Sequence, residues 1–322
     1  MDEFDLIRKY FAPLATSPGA DGLRDDVAEI GTLGGGTRLI ATKDAISEGV
    51  HFLASDPIDT VARKLVRVNV SDTIAKGARP DSALLALVWP ISRPTDEIGV
   101  FAQALGDDLA HWGAHLVGGD TTSTEGPLTL SLTMLGRCGP RGPVRRSGAH
   151  PGEDIWVTGV IGDGWLGLQA VKGAFATLDA AARDFLVARY RVPDLPPLAI
   201  ADLVAEFASS SIDVSDGLVA DAAHIAETSG VGMVIRGGDV PLSDAGRGFL
   251  ADPKADLCVL LTGGDDYQTL FTAPAEHRAA IRQSGLTLTR IGHVEAGAGV
   301  HVLGPSGEPM ALGKTGWAHF SR

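Results

Sequence analysis

After Pro57, apolar residues recur every three or four positions at Ile58, Val61, Leu65, Val68 and Ile74, the stripe of a long amphipathic helix reaching about residue 78. The same spacing predicts helices over residues 3–12, 95–112, 163–172, 178–190, 196–207, 218–228 and 275–283. Short apolar or alternating runs predict strands at 38–42, 82–88, 115–117, 128–135 and 155–158, one ending at Ile212, and others at 231–235, 267–272, 287–291 and 300–303. Strands and helices mix without a strict βαβ rhythm. This favours an α+β fold in two domains over a doubly wound sheet. The boundary shows in composition: residues 139–153 hold four Gly, three Pro and three Arg, the texture of a connection. The expected division is 1–138, a 139–153 connection, and 154–322.

Composition narrows the function classes. With 44% hydrophobic residues, 21% charged residues and 41 Gly in 322, the chain suits a packed globular protein and neither a coiled coil nor a disordered one. The formal net charge of −13 and the lack of a basic stripe argue against a nucleic-acid partner. The longest apolar run, near 82–88, stops at Pro90, far short of the roughly 20 residues of a membrane span, so no membrane partner is expected. Cys138 and Cys258 lie far apart and outside any metal-type spacing, as for reduced thiols of a cytoplasmic protein. The charged start MDEFDLIRKYF has no apolar segment of the signal-peptide kind.

The candidate chemistry lies in aspartates set among small residues. Six nests recur: Asp25-Asp26, Thr42-Lys43-Asp44, Asn69 to Asp72, Gly118-Gly119-Asp120-Thr121-Thr122, Asp213-Val214-Ser215-Asp216-Gly217, and Gly263-Gly264-Asp265-Asp266. A carboxylate beside Gly, Ser or Thr is unshielded, and oxygen ligands spread over many segments suit magnesium bridged by phosphates. Each nest has a plainer reading when taken alone. Ser215 or Asp216 could cap the following helix, Gly118-Gly119 could be a tight turn, and Asp72 could face solvent. His51 follows Asp44 and Glu48 closely, yet no second His or Cys stands at zinc spacing. Neither a Walker A loop nor a protein-kinase signature is present.

The order and wording of the nests resemble the thiamine-monophosphate kinase family over nearly the whole chain, from Phe4-Asp5 to Gly316-Trp317. The specific matches are 44–52, 69–78, 118–122, 146–148, 213–218 and 263–271. The resemblance implies an N-terminal domain that carries the nucleotide and dimerises through its sheet, and a C-terminal α/β sandwich. It implies transfer of the γ-phosphoryl of ATP to thiamine monophosphate by a cytoplasmic homodimer using several magnesium ions. Asp26, Thr42, Asp44, Asp72, Asp120, Asp213 and Asp216 would be magnesium ligands. Gly119, Asp120, Arg146 and Ser215 would contact ATP, with Arg146 adding charge in the transition state. His51, Asp265 and Trp317 would lie at thiamine monophosphate.

Three positions depart from the family pattern. Lys43 stands where Ser or Thr is common, Asp265 where Glu is common, and Arg24 where Gly is common. The alternatives are another ATP-dependent enzyme of the wider superfamily and a non-catalytic nucleotide or metal binder. A selenophosphate synthetase would carry a reactive Cys near its start, and a hydrogenase-maturation relative a C-terminal Cys. This sequence shows neither.

Overall fold

The computed structural model describes residues 3–175, 179–313 and 316. Two sheets carry the architecture. The first is built from β1 (Ala28–Thr32), β2 (Arg38–Ser47), β3 (Arg79–Pro90), β4 (His115–Thr124) and β5 (Thr129–Cys138), in the order β1-β2-β5-β3-β4. Its pairs are antiparallel except β3 with β4. The second comprises β6 (Asp154–Thr158), β7 (Ser210–Asp213), β8 (Gly232–Arg236), β9 (Thr269–Ala273), β10 (Leu288–Glu295) and β11 (Gly299–Leu303), in the order β11-β8-β10-β6-β9-β7. No strand or helix lies in 139–153.

The helices are α1 (Glu3–Leu6), α2 (Ile58–Ala75), α3 (Glu97–His111), α4 (Asp163–Val171), α5 (Ala180–Arg191), α6 (Ala199–Phe207) and α7 (Leu218–Ser229), followed by three shorter ones. Helix α2 is shared between the layers. It packs on β2, β3 and β5 on one side and on β7, β9 and α6 on the other. Leu65, Val66, Val70 and Ile74 are fully buried there, in one core with Trp156 and Phe271 of the second sheet. Each such side chain contributes about 1.5–3 kcal/mol on burial.

The α+β expectation holds, with local corrections. The predicted 3–12 helix breaks after Leu6 into a π turn, Ile7–Phe11, and a 3-10 turn, Ala12–Leu14, that takes Pro13 without loss of a donor. Strands β2 and β4 run past their apolar stretches through Asp44 and Asp120, because ladder pairing with β5 and β3 continues beneath polar side chains. The edge strand β1 has no apolar alternation to mark it. The short helices Asp244–Leu250 and Leu257–Leu261 begin at Ser243 and Asp256 caps that the apolar pattern does not reveal.

Candidate active site

The α2 helix and strand β2 build one wall of a cleft of about 370 Å³. Ile40, Thr42, Asp44 and Ile46 alternate onto the inner face of β2, so the nest presents two oxygen-bearing residues between two buried anchors. On α2, Asn69, Asp72 and Lys76 fall three and four apart and form a polar stripe along one flank. The Asp44 backbone N–H donates to Asn69 Oδ1 at 3.1 Å, and Thr42 Oγ1 donates to Asp72 Oδ2 at 2.6 Å. Ser71 Oγ reaches across to Asp213 Oδ2 at 2.7 Å, tying α2 to the end of β7.

The opposite wall comes from two clasped loops of the second sheet. The Asp265 N–H donates to the Ser215 carbonyl at 2.8 Å, and the Tyr267 N–H to the Val214 carbonyl at 2.7 Å. Gly217, at φ +119°, begins α7 where a Cβ would press on the Thr262 backbone. Asp221 Oδ2 accepts from the Asp216 and Gly217 N–H groups at 3.1 and 3.2 Å. Neither Ser215 nor Asp216 therefore caps α7, which removes the plain reading of that nest.

The cleft gathers Asp26, Thr42, Asp44, Asp72, Asp213, Asp216, Ser215, Arg146, His51 and Asp265, with Lys43 on its rim. Carboxylate oxygens of Asp26, Asp72 and Asp213 lie within 4.8 Å of one another. Burial, then Asp26 and Asp216, push the Asp44 carboxyl up to about 6. Burial and the Asp26 charge push Asp213 up to about 7, against the Ser71 hydrogen bond. Burial, then Asp44 and Asp213, hold Asp72 well above its ordinary value. Asp26 is the exception. Burial works against its charge, but Arg146 and Lys76 outweigh burial and hold it well below the usual range. Such a set of close, hard oxygen donors, most of them crowded enough to hold protons above the usual carboxylate range, fits magnesium, which would be held by Asp26, Asp44, Asp72 and Asp213.

Two basic residues complete the site. Lys76 is fully buried and pairs with Asp26 Oδ2 at 2.5 Å and Asp25 Oδ1 at 3.1 Å. Arg146 donates through Nε to Asp26 Oδ1 at 2.9 Å, and its backbone N–H donates to Asp25 Oδ2 at 3.0 Å. Beside His51, Lys64, 2% exposed, donates to Asp265 Oδ2 at 2.8 Å and to the His51 carbonyl at 3.0 Å. Tyr267 Oη donates to Asp265 Oδ1 at 2.9 Å. The Ser47 N–H donates to His51 Nδ1 at 3.0 Å, which leaves the proton of a neutral ring on Nε2.

Gly119 and Asp120 are not in this cleft. They lie within edge strand β4, exposed, with β5 and β3 between them and β2, about 14 Å away at ordinary strand spacing. The tight turn that was the plain alternative at Gly118-Gly119 is absent, since both residues pair with β3. A Cβ on Gly119 would sit 2.0 Å from the Leu85 carbonyl of β3, so that glycine serves strand contact. Trp317 lies outside the described residues. The sequence reading missed Lys64, Lys76, Tyr267 and Asp221. A lysine among the small residues of Ser71 to Ala78 was the one available sign of Lys76.

The family models for AIR synthase related protein match over residues 24–138 for the N-terminal domain and 150–304 for the C-terminal domain. The thiamine-monophosphate kinase of Caulobacter vibrioides is 37% identical over 98% of this chain and 90% of its own length. The chain belongs to the thiamine-monophosphate kinase family. The Escherichia coli K12 member is 35% identical over 99% of this chain and 98% of its own. A solved structure described as AaThiL complexed with AMPPCP and TMP superposes with a TM-score of 0.87 at 31% identity, covering 99% of this chain and 97% of that one. A hydrogenase maturation protein HypE in complex with ATP, at 20% identity and TM-score 0.68, shares the fold.

The crowded aspartates set a stability trend. Asp44 at about 6 and Asp213 at about 7 bind protons more readily when folded than at their ordinary 3.8. Their protonated forms therefore favour the folded state, and the cost of ionising them grows as pH rises through 6 and 7. His224, held down to about 4 by burial, works the other way below pH 6.5 as a single group. In EDTA, Tm is expected to fall between about pH 5 and 7 and to level off above that, by about 2–4 °C for each kcal/mol lost. Magnesium should restore much of that loss at pH 8 and little at pH 5. A Tm in EDTA that holds or climbs from pH 5 to 7 would contradict the assignment.

Proposed function

We propose that this protein phosphorylates thiamine monophosphate to thiamine diphosphate with ATP, by direct in-line transfer in the aspartate cleft. The observation that carries the reading is the convergence of Asp26, Asp72 and Asp213 from three distant segments within 4.8 Å, in a chain of this family. The acceptor is a phosphate oxygen with a second pKa of about 6, largely ionised near neutrality. It needs no general base. The raised carboxyls of Asp44 and Asp213 therefore follow from burial and then from neighbouring charge, with no part in proton transfer. Magnesium, when bound, supplies the positive charge that lets two phosphates approach. The chain's own part is positioning. Asp26, Asp44, Asp72 and Asp213 fix where charge is tolerated, with Thr42 and Asp216 beside them. Arg146 stands at the edge of the set, where its guanidinium can serve the transferring group. His51 and Asp265, joined by Lys64, face the acceptor side, with Trp317 assigned there by the family pattern.

Asp120 and Gly119 belong to the same reaction through a second copy. Strand β4 is a ten-residue open edge, exposed along almost its whole length. Leu116 and Val117 on it, and Leu84 beside it, are exposed apolar residues. An unpaired edge of that length, carrying apolar side chains, suits pairing with another chain. A homodimer joined along β4 would bring Asp120 of one copy towards the cleft of the other. A supply of ATP suits a cytoplasmic enzyme, and we assign it there.

The direct test is product formation from thiamine monophosphate, ATP and magnesium, with free thiamine as the control acceptor. Thiamine diphosphate is expected from the monophosphate alone. Folded protein that binds ATP and yields no product would be a non-catalytic relative.

A further inference from the structure

Lys64 lies on the same flank of α2 as Val68 and Asp72, which line the aspartate cleft four and eight residues further along. Eight residues span about 12 Å of helix, so the Lys64 stem starts well away from Asp72. Its buried ammonium touches three elements. It donates to Asp265 Oδ2 at 2.8 Å and to the His51 carbonyl at 3.0 Å, and it sits 4.6 Å from the centre of the Tyr190 ring on α5. Tyr190 Oη and Arg191 Nε of α5 also donate to Asp56, at 3.1 and 3.0 Å. The segment that carries His51 is thus tied to α5 at Asp56 and to α2 at His51 itself.

Stability alone gives a poor reason for a lysine at this position. Its one carboxylate partner keeps 31% of its side-chain surface exposed, so the pair recovers little of the cost of burying the ammonium. An apolar side chain would pack as well beside Val61, Leu65 and Val68 of the core. The groups that Lys64 holds belong instead to the cleft, since Asp265 and His51 both line it. Asp265 stands at φ +64° and Tyr267 at φ +50°, a left-handed stretch that is uncommon for tyrosine. Both N–H groups are tied to the carbonyls of Ser215 and Val214, and the Asp265 carboxylate is gripped by Tyr267 on Oδ1 and by Lys64 on Oδ2. Unfavourable backbone held from several sides is typical of a site kept ready for a ligand.

Given the reaction proposed above, on which this inference rests, we propose that Lys64 is a positioning residue for thiamine monophosphate. Its ammonium sets the Asp265 carboxylate and the His51 segment at the spacing that receives the acceptor, without touching the acceptor itself. With that charge removed, Asp265 Oδ2 loses its partner and His51 loses its tie to α2. Asp72 and Asp213 keep their contacts with Thr42 and Ser71, so ATP binding is spared.

Steady-state kinetics on the full chain tests this with two neutral variants. Lys64→Met should raise KM for thiamine monophosphate about tenfold or more, and Lys64→Gln, which keeps an amide donor, about fivefold. KM for ATP should stay within about twofold of wild type in both. Adding Asp265→Asn to Lys64→Met should cost no more than about a further twofold, because the first change has already released what the second removes. An unchanged KM for thiamine monophosphate in a folded variant, equal rises in both KM values, or the full Asp265→Asn effect on top of Lys64→Met would overturn the proposal. So would failure of both variants to fold, which would make Lys64 a residue of the fold. If the wild type makes no thiamine diphosphate, the kinase reading fails by itself. Calorimetry of thiamine monophosphate binding then puts the same comparison to Lys64.

Discussion

Asp213→Asn is expected to lower kcat for thiamine diphosphate formation by about a thousandfold or more, roughly 4 kcal/mol of transition-state stabilisation. The same change should raise the Tm of the magnesium-free protein at pH 8. Both effects have one cause. Asp213 is a member of the close set with Asp26 and Asp72, and its carboxyl is raised to about 7 by burial and by the charge of Asp26. Without a cation, its negative charge costs stability. In the proposed reaction that charge would hold the metal that offsets two phosphates. Asn keeps an oxygen for the Ser71 hydroxyl, so the tie between α2 and β7 survives. Function and stability should then move in opposite directions, as in a site where repulsion is tolerated for chemistry. A kcat within tenfold of wild type would remove Asp213 from the metal set, and a lower Tm would show that it serves the fold.

The aspartates were legible because charge among small residues is conspicuous, and residues of five of the six nests line one cleft while the Asp120 nest lies apart from it. The α2 stripe was legible because its period matches a helix half-buried against a sheet. What sequence could not show is how the charges are settled. Lys76 reads as a solvated residue at a helix end, yet it is fully buried against Asp25 and Asp26. Strand ends were cut short where Thr42, Asp44 and Asp120 interrupt the apolar pattern, because a site breaks local rules that the ladder beneath it still obeys. A turn at Gly118-Gly119 stayed open as the plain alternative because the close approach of the Leu85 carbonyl is a tertiary fact. A second cavity of about 290 Å³, beside the cleft, draws Asp163, Arg189, Pro196 and Leu286 from segments whose spacing carries no signal.

Asp120→Asn should abolish activity as fully as Asp213→Asn, although Asp120 lies outside the cleft of its own chain. Mixing the two inactive variants decides why. If each site joins Asp213 of one copy with Asp120 of the other, a mixed dimer holds one site with both aspartates and one with neither. Random exchange makes half the dimers mixed, so the mixture should recover about one quarter of wild-type activity. A site built within one chain would recover none, because every copy would lack one aspartate. The open β4 edge, with Leu116 and Val117 exposed beside Asp120, favours the shared site. Recovery should also depend on β4 itself. Val117→Lys places a charge on the pairing edge without touching the cleft, and it should shift the protein towards monomer and lower activity together. Full activity in a monomeric Val117→Lys protein would refute the shared site, even if Asp120 remained essential.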